Sequence, residues 1–354
     1  MVDFNGWDMP VEYPATGGLI AEHMAVRTAV GIFDVSHMGD IRIRGPQALA
    51  AVQHITMNDA SRIAVHQCQY SAMLYPKGTF VDDLIVQKLA ADDYWIVINA
   101  GTREKDWGWA SEQVRGFDCR PEHLSDDYTQ IAIQGPKALN TLQKLTDVDL
   151  SQVKFYWLAF GTVCGLKDVM LARTGYTAED GFEIYIPADE KISARVWHEI
   201  LAAGKEFGCL PCGLGARNTL RLEGRLPLYG HEIADNITVW EAGLDRFCKM
   251  EKTDFIGKEA LEKQKAAGVK RTLVGLEMLE RGIARDGYKV LDLSGNEIGY
   301  VTSGSYAPFL KKNIALAYVP VENSALDNVV AVQIRAQAVK AKVVPTPFYK
   351  RPKK

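Results

Sequence analysis

Two adjacent carboxylates, Asp82 and Asp83, stand in a run that otherwise reads as buried sheet, residues 69–86 (QYSAMLYPKGTFVDDLIV). The flanks 70–75 and 79–86 carry aromatic and β-branched residues, and Pro76-Lys77-Gly78 supplies turn chemistry between them, so a hairpin is predicted. Successive strand side chains point to opposite faces, so Asp82 and Asp83 cannot both meet water if one face packs on a core. An unpaired charge taken out of water costs several kcal/mol or shifts its pKa. One of the two acids therefore needs a special partner, and position alone does not say which. A polar strand end, or a pairing with Lys or Arg, would satisfy it without any function.

A comparable acid stands further along. The segment 173–183 (RTGYTAEDGFE) is dense in hydrogen-bonding groups and ends on Glu183, in a strand that otherwise alternates Phe-x-Ile-x-Ile. A carboxylate there can accept two donors from a planar heterocycle such as an aminopyrimidinone, and a water-facing strand position is the plain alternative. Residues 213–217 (GLGAR) form a glycine loop feeding a helix, a layout that can hold an anion at the helix N-terminus. Asn218 breaks the G-x-G-x-x-G spacing, which argues against a dinucleotide fold. Arg217 in the first helical turn opposes the helix dipole, so a ligand carboxylate or Glu183 is expected to compensate it; the plain alternative is a surface arginine. In FDVSHMG, residues 33–39, an Asp, a Ser and a His sit together, but a catalytic triad is assembled in space, and His37 reads first as a structural histidine. Cys209 and Cys212 form a CxxC with no second pair, so metal or redox use is not expected.

The elements that must position these residues are announced by an internal repeat. Residues 41–56 (IRIRGPQALAAVQHIT) and 131–146 (IAIQGPKALNTLQKLT) share Ile-x-Ile-x-Gly-Pro-x-Ala-Leu and then Gln and Thr in register. Each copy alternates as a strand, turns at Gly-Pro and continues with apolar residues at helical spacing. The later elements correspond too: the hairpin, a strand at 94–99 and a helix near 104–114 in copy one; residues 161–173, a strand at 182–186 and a helix at 193–203 in copy two. The shared plan is β-α-β-β-β-α, a duplicated α+β unit whose two sheets, meeting face to face or edge to edge, would enclose a cleft of the kind pockets favour. A solvated helix at 258–267 comes next, and from residue 270 six short strands separated by turns predict a small all-β barrel. The expected division is 1–40, packing with the first repeat; 41–125, the first repeat; 126–268, the second repeat with an extension; and 269–354, the barrel.

The bulk properties fit this plan. A chain of 354 residues with 47% hydrophobic and 24% charged residues exceeds what one core usually serves. A net charge of -3 gives no electrostatic case for nucleic acid or an anionic membrane, and only the tail 350–354 is basic. No apolar run approaches the roughly 18 residues needed to span a bilayer, and the first ten residues have no signal-peptide layout, so a cytoplasmic protein is expected. Six scattered cysteines fit reduced thiols.

Taken together, MVDFNGWDMP, FDVSHMG, GTFVDDLIV, NAGTREKD, RTGYTAEDGFE, GLGARNTLRLE, LYGHEI, FIGKEAL, VTSG and PTPFYK resemble the aminomethyltransferase (T protein) family of the glycine cleavage system. The resemblance covers nearly the whole chain, and the family usually has some residues before its Met-Val-Asp-Phe motif. It implies a three-domain cloverleaf, two duplicated α+β domains and a C-terminal β-barrel around a central channel for tetrahydrofolate, with no metal. It chooses Asp83 over Asp82 as the catalytic aspartate and carries folate contacts over to Glu183 and Arg217, then Tyr70, Tyr176 and Met38, then Asn99 and Tyr156. The implied reaction takes the aminomethyl group from the lipoyl arm of H protein, releases ammonia and gives 5,10-methylenetetrahydrofolate. Such a reaction needs orientation and charge control more than a covalent nucleophile, with Asp83 as an anion beside a developing cation first and a proton carrier second. Two departures from the family pattern stand out, Asn218 where the family commonly has Asp, and Asp245-Arg246 where it commonly has a small residue and Trp. A tetrahydrofolate-dependent demethylase of the same family is the competing enzyme. A non-catalytic folate-binding relative would carry a cysteine motif where this chain has Leu226-Pro227-Leu228-Tyr229-Gly230.

Overall fold

The repeat seen in the sequence is built twice, and the same backbone turn opens both copies. In the computed structural model, which describes residues 1–352, Gly45 and Gly135 follow the first strand of each copy with φ of 132° and 129°. A Cβ on Gly135 would lie 2.7 Å from the Ala29 carbonyl oxygen, so neither conformation nor space admits a side chain there.

The N-terminal segment holds the hairpin β1 (Val2–Phe4) and β2 (Trp7–Met9), helix α1 (Gly18–Thr28) and β3 (Gly31–Asp34). Repeat one runs β4 (Gly39–Arg44), α2 (Ala48–Ile55), β5 (Cys68–Leu74), β6 (Phe80–Ala90), β7 (Asp93–Ile98), α3 (Arg103–Gln113) and β8 (Arg120–His123). Repeat two runs β9 (Tyr128–Gln134), α4 (Ala138–Leu142), β10 (Leu158–Val163), β11 (Leu166–Ala172), β12 (Gly181–Pro187), α5 (Glu190–Gly204) and β13 (Leu210–Pro211). Helix α6 (Leu214–Glu223), a long irregular segment and α7 (Lys258–Ala267) lead to the barrel strands β14 (Arg271–Met278), β15 (Lys289–Leu291), β16 (Glu297–Ala307), β17 (Lys312–Pro320), β18 (Val329–Ile334) and β19 (Gln337–Val344).

Alternation explains the layers. Ile41 and Ile43 of β4 are fully buried and pack with Ala48, Ala51, Val52 and Ile55 of α2, so one face of the sheet β5-β6-β7-β4-β8 is covered by α2 and α3. The sheet β10-β11-β12-β9-β3-β13 is covered likewise by α4 and α5 over Ile131, Ile133, Phe182, Ile184 and Val196. The two helix-free faces meet over Cys68, Trp95, Leu158, Met170, Ala172 and Tyr185. Their rims are stitched by backbone bonds from Cys68 N to the Tyr156 carbonyl (2.8 Å) and from Leu158 N to the His66 carbonyl (2.8 Å). The third lobe is a closed barrel of all six expected strands, in the order β14-β17-β16-β15-β18-β19. The expected α+β pair with a C-terminal barrel is therefore what the chain forms.

Two of the expected boundaries need correction. The N-terminal segment does not simply pack with repeat one: β3 inserts into the second sheet, antiparallel to β9 through Ile32↔Ile133 and parallel to β13. Where repeat one closes its sheet with its own β8 beside β4, repeat two borrows β3, and Val26, Val30 and Phe33 bury against that sheet. Of the extension assigned to repeat two, α6 does pack beside that repeat, through Ala216 and Leu220 with Phe33 and Ala132, but the irregular segment after it packs between repeat one and the barrel. Phe80 N donates to the Ile237 carbonyl, Lys249 N to that of Met57 and Ile256 N to that of His54. Its Ile237, Val239 and Phe255 share a core with Leu74 and Phe80 of repeat one and with Leu273, Leu316 and Tyr318 of the barrel. Lys252 pins the join by donating to the carbonyls of Gln53, Thr56 and Asn58 at the end of α2. No helix among the described residues is long and apolar enough to cross a membrane, and the last two lysines of the basic tail lie outside them.

Candidate active site

Between the helix-free faces lies a cavity of about 910 Å³, its mouth included. Every site residue expected from the sequence lines it: Asp83, Glu183, Arg217, Tyr70, Tyr176, Met38, Asn99 and Tyr156.

Period-two alternation along β6 sorts the adjacent acids. Leu84 and Val86 face the helix layer, whereas Ile85 and Gln87 face the second repeat, and Asp83 shares their side; Val81 joins the helix layer only because the register shifts between Phe80 and Asp82. Asp82 points the other way, towards α3, and is wholly buried. Asp83 accepts hydrogen bonds from the Tyr70 hydroxyl (Oδ2, 2.9 Å) and from Asn99 Nδ2 (Oδ1, 2.9 Å). The same Asn99 amide reaches Asp82 Oδ1 at 2.8 Å. Burial, and then the neighbouring Asp82, push the Asp83 carboxyl up to about 7, while its Tyr70 and Asn99 donors pull it down. A carboxyl balanced in this way can stand as an anion or carry a proton near neutral pH.

Glu183 faces Asp83 from the second repeat. Phe182, Ile184 and Ile186 fill the repeat-two core, so alternation turns Glu183 and Tyr185 inward to the cavity. Its Oε2 accepts from the Thr174 hydroxyl, and burial raises its pKa. A carboxylate with one protein donor keeps lone pairs for a ligand.

Arg217 sits in the first turn of α6, and the compensation expected from Glu183 is not made. Among the described residues the Arg217 guanidinium has neither a hydrogen bond nor an ion pair; it lies 4.7 Å from the Tyr176 ring centroid and 5.8 Å from that of Phe4. The N-terminal backbone of α6 is already taken, since Gly213 N donates to Glu22 Oε2 (2.9 Å). Tyr176 is fixed by its own hydroxyl, which donates to the Pro227 carbonyl. Tyr156 is held in the left-handed region at φ 63° by backbone bonds to both repeats, a conformation that costs about 1 kcal/mol in a non-glycine residue.

Other contributors are not among the residues expected from the sequence. His37 is buried at the cavity wall with neither ring nitrogen hydrogen-bonded, and burial followed by the Arg217 charge lowers its pKa to about 4. It is thus not the satisfied structural histidine expected; its place in the polar FDVSHMG run is the available signal. Thr174, the partner of Glu183, stands in the hydrogen-bonding run RTGYTAEDGFE. A wider mouth beside Tyr70 and Tyr156 is lined by Arg225, Arg246 and Arg351, so the Arg246 departure places a cation at the rim of the site. Cys209 and Cys212 lie away from the cavity; burial raises both thiols, Cys209 to about 12, which disfavours thiolate chemistry. No group of three or more His, Cys, Asp or Glu that could hold a metal occurs among the described residues.

Comparison with known proteins decides the lineage. Residues 1–252 match the family described as GCVT N-terminal domain, and residues 271–350 match the glycine cleavage T-protein C-terminal barrel domain. The chain belongs to the glycine cleavage T-protein family. T-protein relatives named aminomethyltransferase include one from Koribacter versatilis, 73% identical over all of this chain and 93% of the relative, and one from Acidobacterium capsulatum, 66% identical with the same coverage. A crystal structure of glycine cleavage system aminomethyltransferase T from Bartonella henselae superposes with a TM-score of 0.91 at 32% identity, covering 99% of this chain and 94% of that one. By this membership the chain is an aminomethyltransferase of the glycine cleavage system. Within the T-protein fold the cavity occupies the ground between the two repeats.

Proposed function

We propose that the chain moves the methylene of an aminomethyl group, carried on a sulfur of the lipoyl arm of H protein, to N5 and N10 of tetrahydrofolate. The carbon–sulfur and carbon–nitrogen bonds break, and the two folate N–H hydrogens leave on the lipoyl thiol and on ammonia as 5,10-methylenetetrahydrofolate forms. The observation that carries this reading is the opposition of Asp83 and Glu183 across one cavity, the first bound by two donors and the second by one. Tetrahydrofolate supplies the two nitrogens between which the one-carbon unit is held. The cavity residues fit such a ligand: Glu183 offers acceptors to the amino and ring N–H groups of a pterin edge, Tyr70, Tyr156 and Tyr176 offer ring faces, and Arg217 offers an unpaired cation.

Asp83 does the charge work. As an anion beside the methylene it stabilises positive charge that develops while the amine departs, in a cavity whose low dielectric magnifies the effect. With its carboxyl poised near 7, it also accepts a proton and returns it, so proton transfer carries more weight here than for an aspartate at its ordinary value of about 3.9. Tyr70 and Asn99 orient it, and the apolar walls exclude water. A soluble, cytoplasmic setting, and a partnership with H protein but not with nucleic acid or membrane, belong to the same proposal.

The test is folate-dependent ammonia release from aminomethylated H protein by wild type, Asp83→Ala and Asp82→Ala. Asp83→Ala is expected to lose most turnover while still binding tetrahydrofolate. Equal turnover in that variant sinks the assignment of Asp83.

A further inference from the structure

Behind Asp83, on the helix side of β6, two further acids lie together out of water. Asp82 and Asp106 are both fully buried, and their carboxyl groups are within hydrogen-bonding reach of one another. Asp82 is rich in donors: Asn99 Nδ2 (2.8 Å) and the Asp83 backbone N–H (2.8 Å) on Oδ1, and the Thr102 hydroxyl on Oδ2. Asp106, one turn further along α3 than Thr102, has no well-formed hydrogen bond to either carboxylate oxygen; the Thr102 hydroxyl lies close enough to favour its anion but is given to Asp82 Oδ2. Lys105 Nζ lies 3.6 Å from Asp106 Oδ1 but donates to the Val81 carbonyl and sits 3.8 Å over the Tyr229 ring. Tyr75 and Tyr229 face the same cluster, with the Asp235 charge nearby.

Two carboxylates in contact repel and cannot hydrogen-bond, because neither has a hydrogen to give; one added proton turns the repulsion into a short O–H···O bond. The donor count says where that proton sits. Asp82 accepts three hydrogen bonds and needs its lone pairs, whereas the donors nearest Asp106 are committed elsewhere, Thr102 to Asp82 and Lys105 to the Val81 carbonyl, so Asp106 is better satisfied by donating.

We propose that Asp106 is a protonated positioning residue: with Asp82 it forms an acid–carboxylate pair holding one proton across neutral pH, and the pair fixes Asp83 through Asn99. The amide of Asn99 spends one hydrogen on Asp82 and the other on Asp83. An Asp82 held in place therefore sets the amide that aims Asp83 Oδ1. The pair also limits the charge behind Asp83 to one unit, so a second ionisation there would oppose the anionic form of Asp83. The inference rests on the assignment of Asp83 proposed above.

The experiment compares wild type, Asp106→Asn, Asp106→Leu and Asp83→Ala in the ammonia-release assay across pH, with tetrahydrofolate affinity alongside. The Asp106→Asn variant still has an N–H to donate to Asp82 and is expected to keep most of kcat. The Asp106→Leu variant has none and is expected to lose about 10²-fold in kcat with little change in folate affinity, as for a misaimed reacting group. Burial, then Asp82, raise the Asp106 carboxyl to about 10. Wild-type kcat should accordingly fall as pH approaches that value, and Asp106→Asn should lose this alkaline limb. Isotope-edited infrared spectra supply a readout without turnover. At about pH 8.5, above the values near 7 of Asp83 and Asp40 and below that of Asp106, wild type and Asp83→Ala should show a protonated aspartic carboxyl band that Asp106→Asn lacks. If no such band exists, or if Asp106→Asn is as damaging as Asp106→Leu with the alkaline limb intact, the pair is overturned. If Asp83→Ala is fully active while the band behaves as stated, the assignment of Asp83 fails and the shared proton stands. If Asp106→Leu does not fold, Asp106→Asn and the spectra decide.

Discussion

The two repeats share a strand order, a helix layer and the Gly-Pro turn with its unusual glycine, yet they present different chemistry to the cavity between them. Repeat one puts its acid, Asp83, on the second strand of the hairpin and surrounds it with donors from Tyr70 and Asn99. Repeat two keeps the corresponding strand, β11, apolar where it faces inward, with Met170 and Ala172 in the shared core, and carries its acid on β12. Glu183 there has Thr174 as its hydrogen-bonding partner. Duplication provides a cleft with two similar walls; on the proposed function, the divergence of a few inward positions divides the labour, one wall handling charge and protons and the other left open for recognition.

The sharpest way to break that division is at Asp83. Asp83→Ala should lower kcat by about 10²–10⁴, the range that positioned proton-transfer groups contribute. Tetrahydrofolate affinity should change by less than about threefold, because no ring-binding donor or acceptor is removed. Titration of the folate by fluorescence together with single-turnover ammonia release separates the two numbers. A large loss of affinity would move Asp83 to the recognition wall and erase the contrast.

The joint between the repeats gives the next effect. Asp40 on β4 is buried and accepts from Trp95 Nε1 of repeat one (2.6 Å) and Gln130 Nε2 of repeat two (2.5 Å). Burial raises its carboxyl to about 7 in spite of those donors. A folded-state value above the unfolded one means that the folded protein holds the proton longer. The contribution of Asp40 to stability is therefore fully present below about 3.8 and is lost as pH rises through about 7. Its size is at most about 4 kcal/mol, from roughly 1.4 kcal/mol per pKa unit. Urea unfolding at about pH 5 and about pH 8 should show a drop for wild type that is reduced in Asp40→Asn. The same drop in both proteins would mean that Asp40 is not what titrates at the joint.

At Glu183 the expected signature is the reverse of that at Asp83. Glu183→Gln keeps the shape and an acceptor for Thr174 but removes the charge and half of the acceptor capacity. Loss of one charge-assisted hydrogen bond is worth about 1.5–3 kcal/mol, so tetrahydrofolate should bind about 10- to 150-fold more weakly while saturated kcat changes little. A fall in kcat at saturating folate would show that the second wall does chemistry too.

How far this arrangement was legible in the sequence depends on the range of the signal. Alternation and turn residues revealed the hairpin of Asp83, the duplicated β-α-β-β-β-α plan and the six barrel strands, because each is written within one or two neighbouring elements. Alternation also required Asp82 and Asp83 to face opposite sides, but it carries no information on which side is the cavity; the family resemblance supplied that. What stayed hidden depends on segments distant in the chain. The strand Gly31–Asp34 belongs to the sheet of a repeat that begins about a hundred residues later, and no periodicity announces an edge strand borrowed in this way. The part of the extension packed by Ile237 and Phe255 was misassigned for the same reason. Of the two partners expected for Arg217, a ligand carboxylate or Glu183, the protein does not use Glu183, and the guanidinium rests beside the rings of Tyr176 and Phe4. Asp106 was invisible because α3 reads as a solvated helix, REKDWGWASEQ, although the side chain is fully buried.

The smallest effect tests the tuning of repeat one. The Tyr70 hydroxyl donates to Asp83 Oδ2 and so favours the ionised carboxyl; its ring packs at 4.7 Å against Phe247, so Tyr70→Phe keeps the packing and removes the donor. Without that hydrogen bond the Asp83 anion is less stable and its pKa rises further. If the anion is the active form, kcat rises with pH through about 7 in wild type, and in Tyr70→Phe the whole acid limb moves to higher pH by up to about one unit, equivalent to roughly 1.4 kcal/mol. The limb should move while the plateau above it stays within a few-fold, since Asn99 still orients the carboxyl. A limb displaced to lower pH, or unmoved, would mean that the titrating group belongs to neither Asp83 nor its wall, and that the asymmetry between the repeats lies in shape alone.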